Sequence, residues 1–250
     1  MNRSKITLFI FLMIVPVIGN EADEILTKVM NRLQGVDRSL VVKLFQEQKG
    51  KPTKEKVFHS WTHWNQDGEI RKMVKIQIEK PKDLSGTCYW MHEDLSENEK
   101  KWMTMPITGK LKDITNTPIK KGEFNFSELE ISKDDIENHS NRILGEELVN
   151  NRETVIVESI EYKSSGQIKL VKNIWIDKKD NFIHKAIFKN QKDRVIKQIS
   201  LRNLEVINDI PVMTNIKIQN FRKKMNIQIT FSDISFESIQ DIEIFNPTAQ

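Results

Sequence analysis

The sequence predicts a mainly β protein built on a large antiparallel sheet with one apolar face. Two observations carry that reading. From 151 to 236 apolar and polar residues alternate in one short run after another, and turn-forming sequences separate the runs. Thr154, Ile156, Glu158 and Ile160 alternate with Val155, Val157 and Ser159. Ile168, Leu170, Ile174 and Ile176 share one side, as do Val195, Ile199 and Leu201. Val212, Ile216 and Ile218 follow, then Met225, Ile227, Ile229 and Phe231. Side chains on a strand point alternately to opposite faces, so each run describes a strand that is apolar on one side.

The chain opens with Arg3 and Lys5, an apolar run from Ile6 to Ile18, and Gly19. A charged start, a short apolar stretch and a small residue before polar sequence describe a signal peptide over 1–19, cut between Gly19 and Asn20. The run is 13 residues long, whereas a membrane-spanning helix needs roughly 20. Residues 20–250 then form one domain, since neither a linker nor an internal repeat divides them.

A first helix is expected over 23–34, with Ile25, Leu26, Val29 and Leu33 on one stripe and Gly35 ending it. Leu40, Val42 and Leu44 begin the strands, followed by 57–64 and 70–79 with a hairpin signal at Gln66-Asp67-Gly68. Strands continue over 87–92 and 101–105, around the acidic tip 93–97. Alternation then fails from 108 to 141, where Phe124, Phe126 and Leu129 lead into Asp134-Asp135-Ile136. That segment is expected to be a loop with one or two short helical turns. Strands resume near Ile143, with turns at 207–211 and 220–224.

Without Arg3 and Lys5 the formal charge of +4 falls to +2. Lysine and glutamate are interspersed throughout, which argues against nucleic acid as a partner. Cys88 is the only cysteine, so no internal disulfide forms. An exported chain without disulfides points to a bacterial periplasm, with burial of apolar surface supplying its stability.

Little in the chain suggests catalysis. His59 and His63 share a strand face with Trp61 between them, but no third ligand has a suitable spacing for a metal. Nucleophile-elbow, zinc-protease and phosphate-loop motifs are absent from the sequence. Cys88 reads as a buried thiol, and Asp94, Asp134 and Asp135 as turn or capping residues. No cofactor is expected. Trp61, Trp64, Trp90, Trp102 and Trp175 all fall on strands, where large aromatics either fill a core or line an apolar cavity.

Four landmarks resemble the outer membrane lipoprotein-sorting family, the LolA-like periplasmic proteins. They are Gly86-Thr87-Cys88-Tyr89, Lys101-Trp102-Met103-Thr104-Met105-Pro106, the segment from Gly122 to Leu129, and Trp175-Ile176-Asp177. The third is similar to that family's G-S-D-F-S-Y-E-D-L run, one residue shorter and with Glu123 in place of aspartate. Thr104 stands where a tyrosine is usual. The likeness extends from about Ala22 to Phe236. It implies an open, incomplete antiparallel β-barrel of about ten or eleven strands, with an N-terminal helix and a short helical lid. It also implies a carrier that binds lipid-modified proteins or other acylated or lipid cargo and moves it between membranes. A carrier of this kind takes cargo from an inner-membrane transporter and passes it to an outer-membrane acceptor.

On this reading the cargo-facing residues are Leu40, Val42, Leu44, Val74, Ile76, Ile78, Trp90 and Trp102, with Phe124, Phe126 and Leu129 in the lid. The alternative is a non-catalytic adaptor of a periplasm-facing transporter, which would have a filled interior and an exposed apolar patch. Either protein is expected to work as a monomer.

Overall fold

Alternation becomes strands along most of the chain. The structure, a computed structural model, describes residues 20–65, 68–117 and 129–248. Among these residues the first meander comprises β1 (Arg38–Gln48), β2 (Lys54–Trp64), β3 (Ile70–Lys80), β4 (Cys88–Asp94), β5 (Glu99–Thr104) and β6 (Leu111–Asp113). The second comprises β7 (Ser140–Val149), β8 (Arg152–Tyr162), β9 (Ile168–Asp177), β10 (Ile183–Lys189), β11 (Val195–Ile207), β12 (Ile210–Asn220) and β13 (Met225–Ser235). All thirteen belong to one antiparallel sheet, ordered β6-β5-β4-β3-β2-β1-β13-β12-β11-β10-β9-β8-β7. The meanders meet where β1 pairs with β13, Val42 opposite Phe231 and Leu44 opposite Ile229.

Thirteen strands exceed the ten or eleven expected. Alternation does not single out β6, a three-residue strand inside the 108–141 segment, or β10. In β10 His184, Ala186 and Phe188 are buried while Ile183 and Ile187 are half-buried. Apolar residues on both faces erase the period-two signal there.

The helix α1 (Glu21–Asn31) begins two residues earlier than predicted because Asn20 caps it, its side chain accepting from the Ala22 amide. Glu21, Asp23 and Glu24 in the first turn and Lys28 in the last complement the helix dipole. A turn follows to Gly35, whose φ of +77° a side chain would disfavour. Ala22 and Leu26 are fully buried, with Ile25 and Val29 beside them. They meet one face of the sheet, called inner below: Val42, Leu44, Phe58, Val157, Ile176, Ile218, Ile227 and Ile229. A second helix, α2 (Lys133–Glu137), starts from a capping box between Ser132 and Asp135. It supplies the helical turn expected within 108–141.

The hairpin from β11 to β12 turns on Asn208 (φ 50°) and Asp209 (φ 62°). Positive φ at both central residues is the turn that matches strand twist, and Asn and Asp tolerate it. Asn150 and Asn151 do the same between β7 and β8. The expected Gln66-Asp67-Gly68 hairpin lies largely outside the described residues.

If β13 is central to the core, Ile227→Ala should cost about 2–5 kcal/mol. Val206→Ala, at an exposed position of β11, should stay within about 0.5 kcal/mol. Urea denaturation of both variants checks this; equal losses would contradict the described inner face.

Candidate binding site

Polar bonds fix α1 across the inner face at both ends. At its start Asn20 donates to the Asn141 carbonyl (2.6 Å), and the Asn141 amide donates to Asp23 (2.8 Å) and to the Asp135 carbonyl (2.9 Å). At its end Arg32 donates to the carbonyls of Asp180 (2.9 Å) and Pro211. Beneath Arg32 lies a buried charge cluster. Asp177 accepts from Arg152 (2.5 and 3.0 Å) and lies 3.1 Å from His184. The Arg32 and Arg152 guanidiniums both lie over the Phe182 ring, 5.5 and 5.3 Å from its centroid. Burial pushes the Asp177 carboxyl up, but its bonds from Arg152, the Asp180 amide and His184 outweigh that and hold it well below the usual range. Asp135 behaves alike: burial raises it, while Lys172 and Ser132 bring it down.

A cavity of about 550 Å³ opens beside the C-terminal end of α1. Its walls come from α1 (Val29) and the turn after it (Leu33), from β1–β3 (Arg38, Trp64, Arg71, Lys72), from the β4–β5 tip, from Leu129–Lys133 and from β10–β11 (Ile183, Leu201). A smaller, mainly apolar pocket of about 30 Å³ adjoins it, sharing Leu129, Glu130, Ile131, Ile183 and Leu201 and lined further by Ile174, Ala186, Phe188, Ile199 and Lys172. The site is thus two-sided. One wall is aliphatic, and the other is cationic around an indole, with Arg71 5.9 Å and Lys72 5.4 Å from the Trp64 ring.

Carboxylates from the tip answer most of that charge. Arg71 bonds Glu93, Lys72 lies 3.8 Å from Glu93, and Lys133 lies 3.5 Å from Glu97. Arg38 is different. Burial lowers its pKa, and Glu130 offsets the effect only in part, by attraction across space.

The residues expected to face cargo are dispersed. Leu40, Val42, Leu44 and Ile76 stand on the inner face within or against the core, and Val74 and Ile78 share their side and are half-buried. None of the six lines the cavity, whereas Leu129 does. Phe124 and Phe126 lie outside the described residues. Trp90 and Trp102 pair with each other on the opposite, outer face, Trp90 standing across from Lys75 rather than Ile76.

The outer face of β2–β5 has a cover of its own, which explains that placement. After β13 the chain crosses it, and a 3-10 turn (Ile242–Phe245) seats Phe245, 1% exposed. Trp90 Nε1 donates to the Ile244 carbonyl (3.1 Å), and His92 Nε2 lies 2.9 Å from the Phe245 carbonyl. Asp37 holds the strap down, accepting from the Ile239 amide (2.9 Å) with His63 Nδ1 at 2.8 Å. His59 and His63 do share a face with Trp61, and that face is the outer one. Trp61 lies there with Lys75 above it, and Trp175 donates to Glu147 outside β9. Trp64 is the tryptophan that lines the cavity. Its signal was parity: three residues from Trp61, it must face the other way.

A family model for an uncharacterized protein matches residues 71–249, and the chain belongs to that family. No curated protein matches it. Among solved structures, a DUF1329 family protein from Desulfovibrio piger is similar, with a TM-score of 0.68 and 20% identity over 90% of this chain and 95% of its own. A protein domain assigned to outer membrane lipoprotein sorting, from Vibrio parahaemolyticus, reaches 0.69 with 18% identity, covering 90% and 96%. A LolA superfamily protein from Nitrosomonas europaea reaches 0.60 with 15% identity, again over 90% and 96%. The chain shares its fold with these three structures: mainly β, one open antiparallel sheet and few helices.

Because Asp177 is held below its unfolded value, its contribution is complete above the unfolded carboxylate pKa of about 3.9 and fades as pH falls through the folded one. Asp177→Asn should therefore cost about 1.5–3 kcal/mol at neutral pH, because Arg152 keeps only Asp180 as a carboxylate partner. The gap from wild type should narrow below about pH 4. Denaturation midpoints measured from pH 3 to 8 test this, and a gap that widens in acid would contradict it.

Proposed function

We propose that the protein is a periplasmic carrier that holds the acyl chain of a lipid or lipid-modified protein in the cavity beside α1 and moves it between membranes. The observation that carries this reading is the cavity itself. It lies within the roughly 300–1,000 Å³ of ordinary ligand sites, and it runs into a mainly apolar pocket on the inner face of a LolA-like sheet. Each methylene taken from water is worth about 0.8 kcal/mol, so a long acyl chain crosses an aqueous compartment only if something covers it.

The reading asks for no covalent chemistry. The leader at 1–19 would export the chain, leaving 20–250 as a single domain. Among the described residues no helix is long and apolar enough to cross a membrane. Leu129 borders both cavities, and with Phe124 and Phe126 it would form the lid that opens for exchange. An inner-membrane transporter as donor and an outer-membrane acceptor complete the cycle, with the carrier acting as a monomer.

Filling the space should abolish the function while sparing the fold. Leu201→Trp places an indole where the two cavities join. It should weaken binding of a fluorescent fatty acid at least about tenfold, the loss of about 1.4 kcal/mol or more. Its thermal midpoint should stay at or above that of wild type. Unchanged binding by a folded Leu201→Trp protein would place the acyl site elsewhere and remove the support for this reading.

A further inference from the structure

Among the described residues the charged groups around the cavity are paired, with two exceptions, Arg38 and Glu130. Arg71 is bonded to Glu93, Lys133 sits near Glu97, and Arg32 donates to two carbonyls. Among the described residues the Arg38 guanidinium has neither a hydrogen bond nor an ion pair; Glu130, on the same cavity, attracts it without bonding to it. Arg38 stands opposite Thr62 at the start of β1, on the cavity wall that also carries Trp64. Among the described residues Trp64 Nε1 and Arg71 Nε are buried without acceptors, so this wall has donors in surplus.

A partly buried guanidinium without a carboxylate costs stability, and a core of packed apolar residues would not need it. The cost makes sense if the partner arrives from outside. Guanidinium presents a planar fork of five donors that matches a carboxylate or phosphate in two-point contact. On the other side of the same cavity Ile131, Ile183 and Leu201 offer no polar group. Such a division suits a molecule with one anionic end and one aliphatic end.

We propose that the cavity takes an anionic amphiphile, its carboxylate or phosphate on Arg38 beside Trp64 and its chain against Ile183 and Leu201. The inference rests on the carrier reading and narrows its cargo to acyl chains that carry a negative headgroup.

Three ligands with one chain, oleate, oleyl phosphate and oleyl alcohol, separate the two claims. Each displaces a fluorescent fatty acid from the purified protein, with inorganic phosphate and methyl phosphate as chainless competitors. Both anions should bind wild type at least about tenfold more tightly than the alcohol, as charge-assisted bonds allow. Arg38→Gln should erase that preference and leave the alcohol within about twofold, while Arg38→Lys, which keeps charge but loses the fork, should retain part of it. Arg38→Met should melt no lower than wild type without ligand, since an unpaired charge has been removed.

Equal wild-type affinity for all three would overturn this inference and leave the carrier reading standing. An Arg38→Gln variant that loses alcohol and anions alike would overturn it too, by making Arg38 a packing residue. Displacement of oleyl phosphate by millimolar inorganic or methyl phosphate, with no advantage from the chain, would assign the wall to a free anion. Failure of every ligand to bind folded wild type would sink both readings together.

Discussion

The pairing of β1 with β13 is the constraint on which the rest of the molecule depends. β1–β6 and β7–β13 are two separate meanders, and this one ladder makes them a single sheet. Across it Val42 and Leu44 continue the inner face that Ile227 and Ile229 begin, and all four are almost fully buried. The cavity inherits the join. Its cationic wall, with Arg38, Trp64 and Arg71, comes from the first meander, and its aliphatic wall, with Ile183 and Leu201, from the second. The contact links strands far apart in the sequence, so its loop-closure entropy must be met before it contributes.

Polar networks secure what apolar burial leaves loose. With Cys88 the only cysteine, no internal disulfide ties the two ends of α1 to the sheet. Asn20, Asp23 and Asn141 fasten one end, and Arg32 fastens the other above the Asp177–Arg152–His184 cluster. Such buried charges cost heavily when half of a pair is missing. At Asp177 and Asp135 every carboxylate oxygen has a donor or a cation nearby. Arg38 stands out against that pattern because the same care was not taken there.

Much of the sheet was legible because one-sided strands write their burial into the sequence. Met225, Ile227 and Ile229 alternate with exposed residues, and all three are buried. The first meander was harder to read, since β2–β5 are covered on both faces. Val57 and Phe58 are both buried though adjacent, so alternation could not tell inner from outer side. Trp90 and Trp102 were accordingly expected inside and stand outside, beneath the strap that ends in Phe245. The only sequence trace of that strap is the apolar cluster Ile242, Ile244 and Phe245, too short to show a period. The cavity was not legible at all. Arg38, Trp64 and Leu201 converge from three strands, and only the long-range pairing brings them together.

The central claim is that the inner face shelters something other than the protein's own side chains. Native mass spectrometry of material purified without detergent from the native host tests it most directly, with organic extraction of the same sample. The account predicts a fraction of the chains carrying an added mass that denaturation releases, and an extract enriched in an acyl compound with an acidic headgroup. Protein at its bare mass, with an empty extract and no uptake when lipid is added back, would contradict it.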